Sequence, residues 1–166
     1  MSTLAIPETP GQKPQPPEVP GWMLLTIDSL KLALRPRDVK TIELFDALQV
    51  AVDGEVEAGW HEHSGELWPA YCLNRHLALQ SDVVTTRRYC VFLEVDDRAM
   101  GILCDHVSIL SSDEELDVKP VSGCMVLPCS PVKWMASLNG EVVVVVDGHG
   151  LGSYLSTMEE EHAKSV

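Results

Sequence analysis

Apolar residues along this chain come in short bursts separated by turn-forming pairs, and the bursts alternate or run solid rather than repeating at helical spacing. Met23–Ile27 and Leu30–Leu34 flank Asp28-Ser29, a spacing that predicts a β-hairpin. Val39–Leu48 mixes apolar and charged residues and fits a strand or a short helical turn. Val50–Gly65 is polar, with a turn at Asp53-Gly54. Leu67–Leu73 predicts a strand in which Pro69 is tolerated only near an edge or a bulge. Asn74–Leu79 predicts one or two helical turns. Arg88–Val95 predicts a strong strand, turned at Asp96-Asp97 into Ala99–Cys104 and continued by His106–Leu110. Ser111–Glu115 has the pattern of a capped helical turn or acidic loop, and residues 117–131 are irregular. Val132–Leu138 and Glu141–Val146 flank Asn139-Gly140, the strongest hairpin signal in the chain. Gly150–Met158 predicts a short helix ahead of the acidic triplet Glu159-Glu160-Glu161. Many short strands with scraps of helix predict small barrels or a sandwich.

Composition adds the boundaries. Residues 1–21 hold six of the eleven prolines and few large apolar groups. Too little surface can be buried there to offset ordering, so a disordered Pro-rich tail is expected. A folded region over 22–156 and an acidic tail over 157–166 complete the expected organisation. The net charge of −13, from 25 acids against 12 bases, opposes binding to phosphate backbones and suits either plain solubility or a basic partner surface. Apolar runs such as Val142–Val146 fall far short of a bilayer span, and no basic stretch leads into a hydrophobic one at the start. The expected location is cytoplasmic. Five cysteines, without a Cys-x-x-Cys pair, predict reduced and partly buried thiols.

Candidate chemistry is thin. Gly148-His149-Gly150-Leu151-Gly152 follows a strand, as a phosphate cradle would, but no later strand and acid complete a dinucleotide site and no Lys-Ser or Lys-Thr makes a P-loop. A strand-to-helix joint is the expectation. His61 and His63 would face one side of an extended segment, where Cys72 or Cys129 could join them around zinc, although no spacing fixes a third or fourth ligand. No Gly-x-Ser-x-Gly elbow occurs, and no acid pair is marked out for catalysis. No cofactor is expected.

In order and spacing, the apolar anchors resemble the CheW-like domain, the adaptor family of bacterial chemosensory systems. The strand pair Met23–Leu34 comes first, then Val39-Lys40-Thr41-Ile42 on the family's Val-x-x-Ile. Gly59–Asn74 keeps Gly59, Gly65, Pro69 and Leu73 in register with its Gly-x-x-Asn-Leu-Arg-Gly-x-x-x-Pro-x-x-Asp-Leu-Arg block. Gly101–Val107 fits Gly-x-x-Val-Asp-x-Val, and Leu138–Asp147 with Leu151–Leu155 fits the closing hairpin and helix.

The resemblance spans roughly residues 22–156. It implies a mainly β fold of two intertwined five-stranded SH3-like barrels with one or two short helices. It also implies a non-enzymatic scaffold that couples methyl-accepting chemotaxis receptors to a CheA-type histidine kinase, in chemotaxis or twitching motility. Val39, Ile42, Ser64 and Gly65 are the partner-binding positions carried over. Glu62-His63-Ser64-Gly65 replaces Asn-Leu-Arg-Gly, Cys72-Leu73-Asn74 replaces Asp-Leu-Arg, and Thr41 stands where an acid is usual. A serine cannot make the forked bonds of an arginine. Two alternatives therefore accompany the adaptor reading: a decoy that binds only the kinase, and a small metal-binding protein using His61 and His63.

Overall fold

The computed structural model describes residues 21–51, 56–110, 116–121, 130–132 and 134–164. The chain opens with the predicted hairpin, β1 (Met23–Ile27) and β2 (Leu30–Leu34), in register from Met23↔Leu34 to Ile27↔Leu30. A 3-10 turn at Pro36–Asp38 leads into β3 (Val39–Leu44), and a second at Phe45–Ala47 into the two-residue β4 (Gln49–Val50). β5 (Gly59–His63) and β6 (Glu66–Tyr71) form a hairpin, as do β7 (Tyr89–Val95) and β8 (Arg98–Cys104). β9 (His106–Ile109), β10 (Asp117–Pro120), β11 (Trp134–Leu138) and β12 (Glu141–Val145) follow, then α1 (Gly148–Lys164).

These strands make two six-stranded sheets. One runs β10-β11-β12-β2-β1-β9 and the other β3-β7-β8-β6-β5-β4. The second barrel is a continuous stretch of chain inserted between the halves of the first, so the expected mainly β, intertwined paired-barrel fold holds, with a sixth strand in each barrel. The crossing at Asp105 corrects one detail: His106–Leu110 does not prolong the β7–β8 pattern but leaves for the other sheet, where β9 pairs with β1.

The solid apolar runs have a packing cause. Along β7, Cys90 and Phe92 point into the second barrel with Trp68, Ala70, Cys72 and Leu103, while Val91 and Leu93 point out of it. The outward residues meet Leu25, Ile27, Leu32 and Leu34 of the first barrel and Leu151 and Leu155 of α1 in a third, central core. Strands buried on both faces cannot alternate with polar residues. The first barrel is filled by Leu24, Ala33, Ala136, Val143 and Val145.

Several local expectations change. β5 lies in a stretch that reads as polar loop, and β10 in one that reads as irregular. Asn74–Leu79 is not helical: the Asn74 side chain accepts from the amides of His76 and Ala78, Leu77 takes a left-handed φ of 61°, and Leu73 bridges to Leu79. Pro69 sits in an interior strand, yet β8 pairs with β6 only at Ala70 and Tyr71, so the missing N–H falls just outside that ladder. The helix is longer than expected and takes in Glu159–Glu161. The tail over 1–20 and the segment Ser111–Glu115 lie outside the described residues.

Candidate docking surface

The strand β3 pairs with β7 and has no strand on its other side among the described residues. Its register sets its faces. Thr41 and Glu43 lie opposite Phe92 and Cys90 and face the second barrel's interior. Ile42 and Leu44 face out, at 39% and 59% exposure. An open backbone edge carrying apolar side chains can accept another chain through main-chain bonds and side-chain pockets. Val39, at the bulged start of the strand, is half-buried and packs on the central core.

Ser64 and Gly65 form the two-residue turn of the β5–β6 hairpin. Both have left-handed backbones, φ 52° and 83°, the geometry that matches the twist of the strands they join. A Cβ at Gly65 would meet nothing within 4 Å, so its constraint is the backbone angle alone. Both residues are exposed. Across the barrel mouth, the Lys40 ammonium lies 5.3 Å from the Trp68 ring centre, and Trp68 stacks on His63 at 4.4 Å, next to the turn. His61 Nε2 is 3.6 Å from Glu43 Oε1. These bridges set the carried-over pairs Val39/Ile42 and Ser64/Gly65 on two elements linked through other side chains.

Beyond the end of β3 opens a groove of about 700 Å³, lined by Leu44, Phe45, Val50, Val83, Val84 and Tyr89 with Asp46 and Arg88 at its rim. Behind it lies Arg87, the one buried charged residue among those described, at 3% exposure. Its Nη1 donates to Asp28 Oδ1 at 2.9 Å and to Asp105 Oδ1 at 2.7 Å, and its Nη2 to the Leu73 carbonyl at 2.9 Å. Asp105 also accepts from the Asp28 amide and the Thr86 hydroxyl. The Arg87 side-chain bond holds the Asp28 carboxyl below its ordinary range, against a smaller opposing effect of burial. Sequence reading missed Arg87, because nothing in Thr85-Thr86-Arg87-Arg88 distinguishes a buried arginine from an exposed one.

The other candidates take structural places. His61 and His63 do share a side of β5, ring centres 6.2 Å apart, but they pack with Trp68 and Phe92 in an aromatic cluster. Cys72 is buried in the barrel core, Cys129 lies outside the described residues, and no three metal-binding side chains gather among those described. At the Gly-rich joint two helix-terminal amides are taken by carboxylates, the Gly148 N–H donating to Asp38 and the Gly150 N–H to Asp147, and two acids at that end of the helix oppose a phosphate there. Cys72, Cys90 and Cys104 are free and buried. Burial pushes all three thiols up, Cys104 to about 12. No described helix is long and apolar enough to cross a membrane.

No family model matches the sequence, and no curated protein does. By fold, the chain is similar to the crystal structure of the scaffolding protein TtCheW from Thermoanaerobacter tengcongensis, with a TM-score of 0.63 and 15% identity over 80% of this chain and 91% of that one. At that identity the likeness is one of architecture: a CheW-like pair of barrels, seen here and in a protein that acts as a scaffold.

Proposed function

We propose that this protein is a non-enzymatic adaptor of a bacterial chemosensory pathway, working in the cytoplasm and coupling methyl-accepting chemotaxis receptors to a CheA-type histidine kinase. The observation that carries the reading is the paired-barrel fold shared with a scaffolding CheW, together with the open β3 edge that carries Ile42 and Leu44 beside a groove. Small apolar patches of this kind give weak, reversible contacts, which gain strength when several are made at once. The test is binding of the full chain to the regulatory region of the kinase and, separately, to the receptor's cytoplasmic tip. Binding to both is expected, and Ile42→Asp should weaken the β3-dependent contact at least tenfold while the circular dichroism spectrum stays unchanged. Binding to neither partner overturns the reading.

One observation favours a narrower version. The β5–β6 turn carries Ser64 where the family it resembles has an arginine, so a forked, charge-assisted contact is missing from an exposed hairpin tip. Kinase binding without receptor binding would select this decoy version. Ser64→Arg then restores receptor affinity if that lost contact is the cause; the left-handed backbone costs an arginine about what it costs a serine.

A further inference from the structure

The groove beside β3 is built differently on its two sides. Leu44 and Val50 belong to strands, whereas Val83, Val84, Thr85, Arg87 and Arg88 come from residues 81–88, which form neither strand nor helix. A side of that kind takes its shape from the bonds that anchor it. Two of these lie within the groove's own walls. The Arg87 N–H donates to the Val84 carbonyl at 3.1 Å and closes a turn, and the Phe45 N–H donates to the Arg88 carbonyl at 2.8 Å and joins the two sides. The rest run backward into the fold. The Arg88 N–H donates to the Cys104 carbonyl at 3.0 Å, the Thr86 hydroxyl to Asp105 Oδ1 at 2.9 Å, and the Arg87 guanidinium to Asp28, Asp105 and the Leu73 carbonyl.

Those three acceptors of Arg87 sit in three parts of the molecule: the β1–β2 turn of the first barrel, the crossing between the sheets, and the chain just past β6. A buried ion pair is a poor source of net stability, because desolvation offsets most of the attraction. What it supplies is direction, since a planar guanidinium meets several fixed acceptors in one orientation only. Neither Asp28 nor Asp105 lines the groove, so both act on it through Arg87 and Thr86. We infer that Arg87 is a positioning residue of the docking groove: it holds the 83–88 side in place against Leu44 and Phe45, and through Asp28 it makes the groove's shape depend on the first barrel. The consequence for partner binding rests on the adaptor reading, and the consequence for the groove itself does not.

The test is Asp28→Asn in the full chain, read by nuclear magnetic resonance. Asparagine keeps the size of Asp28 and tolerates its left-handed φ of 54°, so the hairpin stays while the charge goes. Amide hydrogen exchange at Phe45 and Arg87 should quicken about three- to tenfold relative to Val91 on β7, and the methyl resonances of Val83 and Val84 should shift. Binding of the kinase's regulatory region should weaken about two- to tenfold. Val143→Ala is the control. It truncates a fully buried side chain in the first barrel's core, so it should lower the urea midpoint yet leave the groove resonances, the relative exchange and the affinity as they were. Groove signals unmoved by Asp28→Asn, or moved equally by Val143→Ala, would overturn the positioning role. A loosened groove that binds the kinase as tightly as before would overturn it as well. If the wild-type chain binds neither kinase nor receptor while Asp28→Asn still loosens the 83–88 side, the adaptor reading fails and the structural part of the inference stands.

Discussion

Arg87 ties the β1–β2 turn of the first barrel to the second through Asp28, Asp105 and the Leu73 carbonyl. Truncating it leaves two carboxylates and a carbonyl facing each other without their cation. Because Asp28 and Asp105 keep 35% and 17% side-chain exposure, Arg87→Ala should cost about 3 kcal/mol, the lower end for breaking a buried pair, measured by urea denaturation. The pH dependence has a definite sign. Asp28 has a lower pKa folded than unfolded, so its contribution is present above the unfolded value of about 3.9 and is lost as pH falls through the folded one. In Arg87→Ala this acid-side loss should shrink. The cysteines give a second check. Cys72, Cys90 and Cys104, buried with raised pKa values, should resist a thiol reagent at pH 8 in the folded protein and react in denaturant, as peptide mass spectrometry would show. The thiol state was legible in the sequence from the apolar runs around these residues. Arg87 was not, since burial of a charge depends on partners 18 and 59 residues away.

Among the elements, α1 depends on close approach more than on helix propensity. Gly152 packs where a Cβ would come within 2.2 Å of Val95 Cγ2 on β7. Alanine improves intrinsic helix formation by about 1 kcal/mol. The overlap should outweigh that gain, and Gly152→Ala should lower net stability by about 1–2 kcal/mol. Stability equal to or above wild type would show that α1 can lift off β7 freely. Gly101 on β8 makes a similar demand from Cys90 Sγ at 2.5 Å and Phe92 Cε1 at 2.7 Å. The hairpins at Asp28-Ser29, Asp96-Asp97 and Asn139-Gly140 were readable because a two-residue turn imposes its own chemistry. β5 was not recognised because one face carries His61 and His63 over the aromatic cluster and its tip carries Glu62 and Ser64, leaving few apolar positions to count. The Ser64-Gly65 dipeptide, closing His63 onto Glu66, was the available signal.

For the molecule as a whole, the net charge of −13 governs how it meets partners. If a basic partner surface is the counterpart, the association rate should fall steeply with ionic strength while dissociation changes little, a split that stopped-flow measurement separates. The strand pattern by itself reached only small barrels or a sandwich; the paired-barrel architecture was legible as what the family resemblance implied, carried by the order of soft motifs, none decisive alone. The candidate docking surface was less legible. Val39, Ile42, Ser64 and Gly65 could be named from a resemblance, but the grooves beside them are assembled from segments that approach only after folding, such as Leu44 with Val83 and Trp60 with Glu159.

The insertion of one barrel within the other orders events during synthesis. Everything the second barrel's sheet needs, β3 through β8, leaves the ribosome before β11 and β12 exist, so it can close while β1 and β2 still lack their later neighbours. Until β12 pairs with β2, the first hairpin presents an open edge at Leu32 and Ala33 to whatever is nearby. A chain stalled after Cys104 should therefore be prone to self-association, and completion of the C-terminal strands is what brings that exposure to an end.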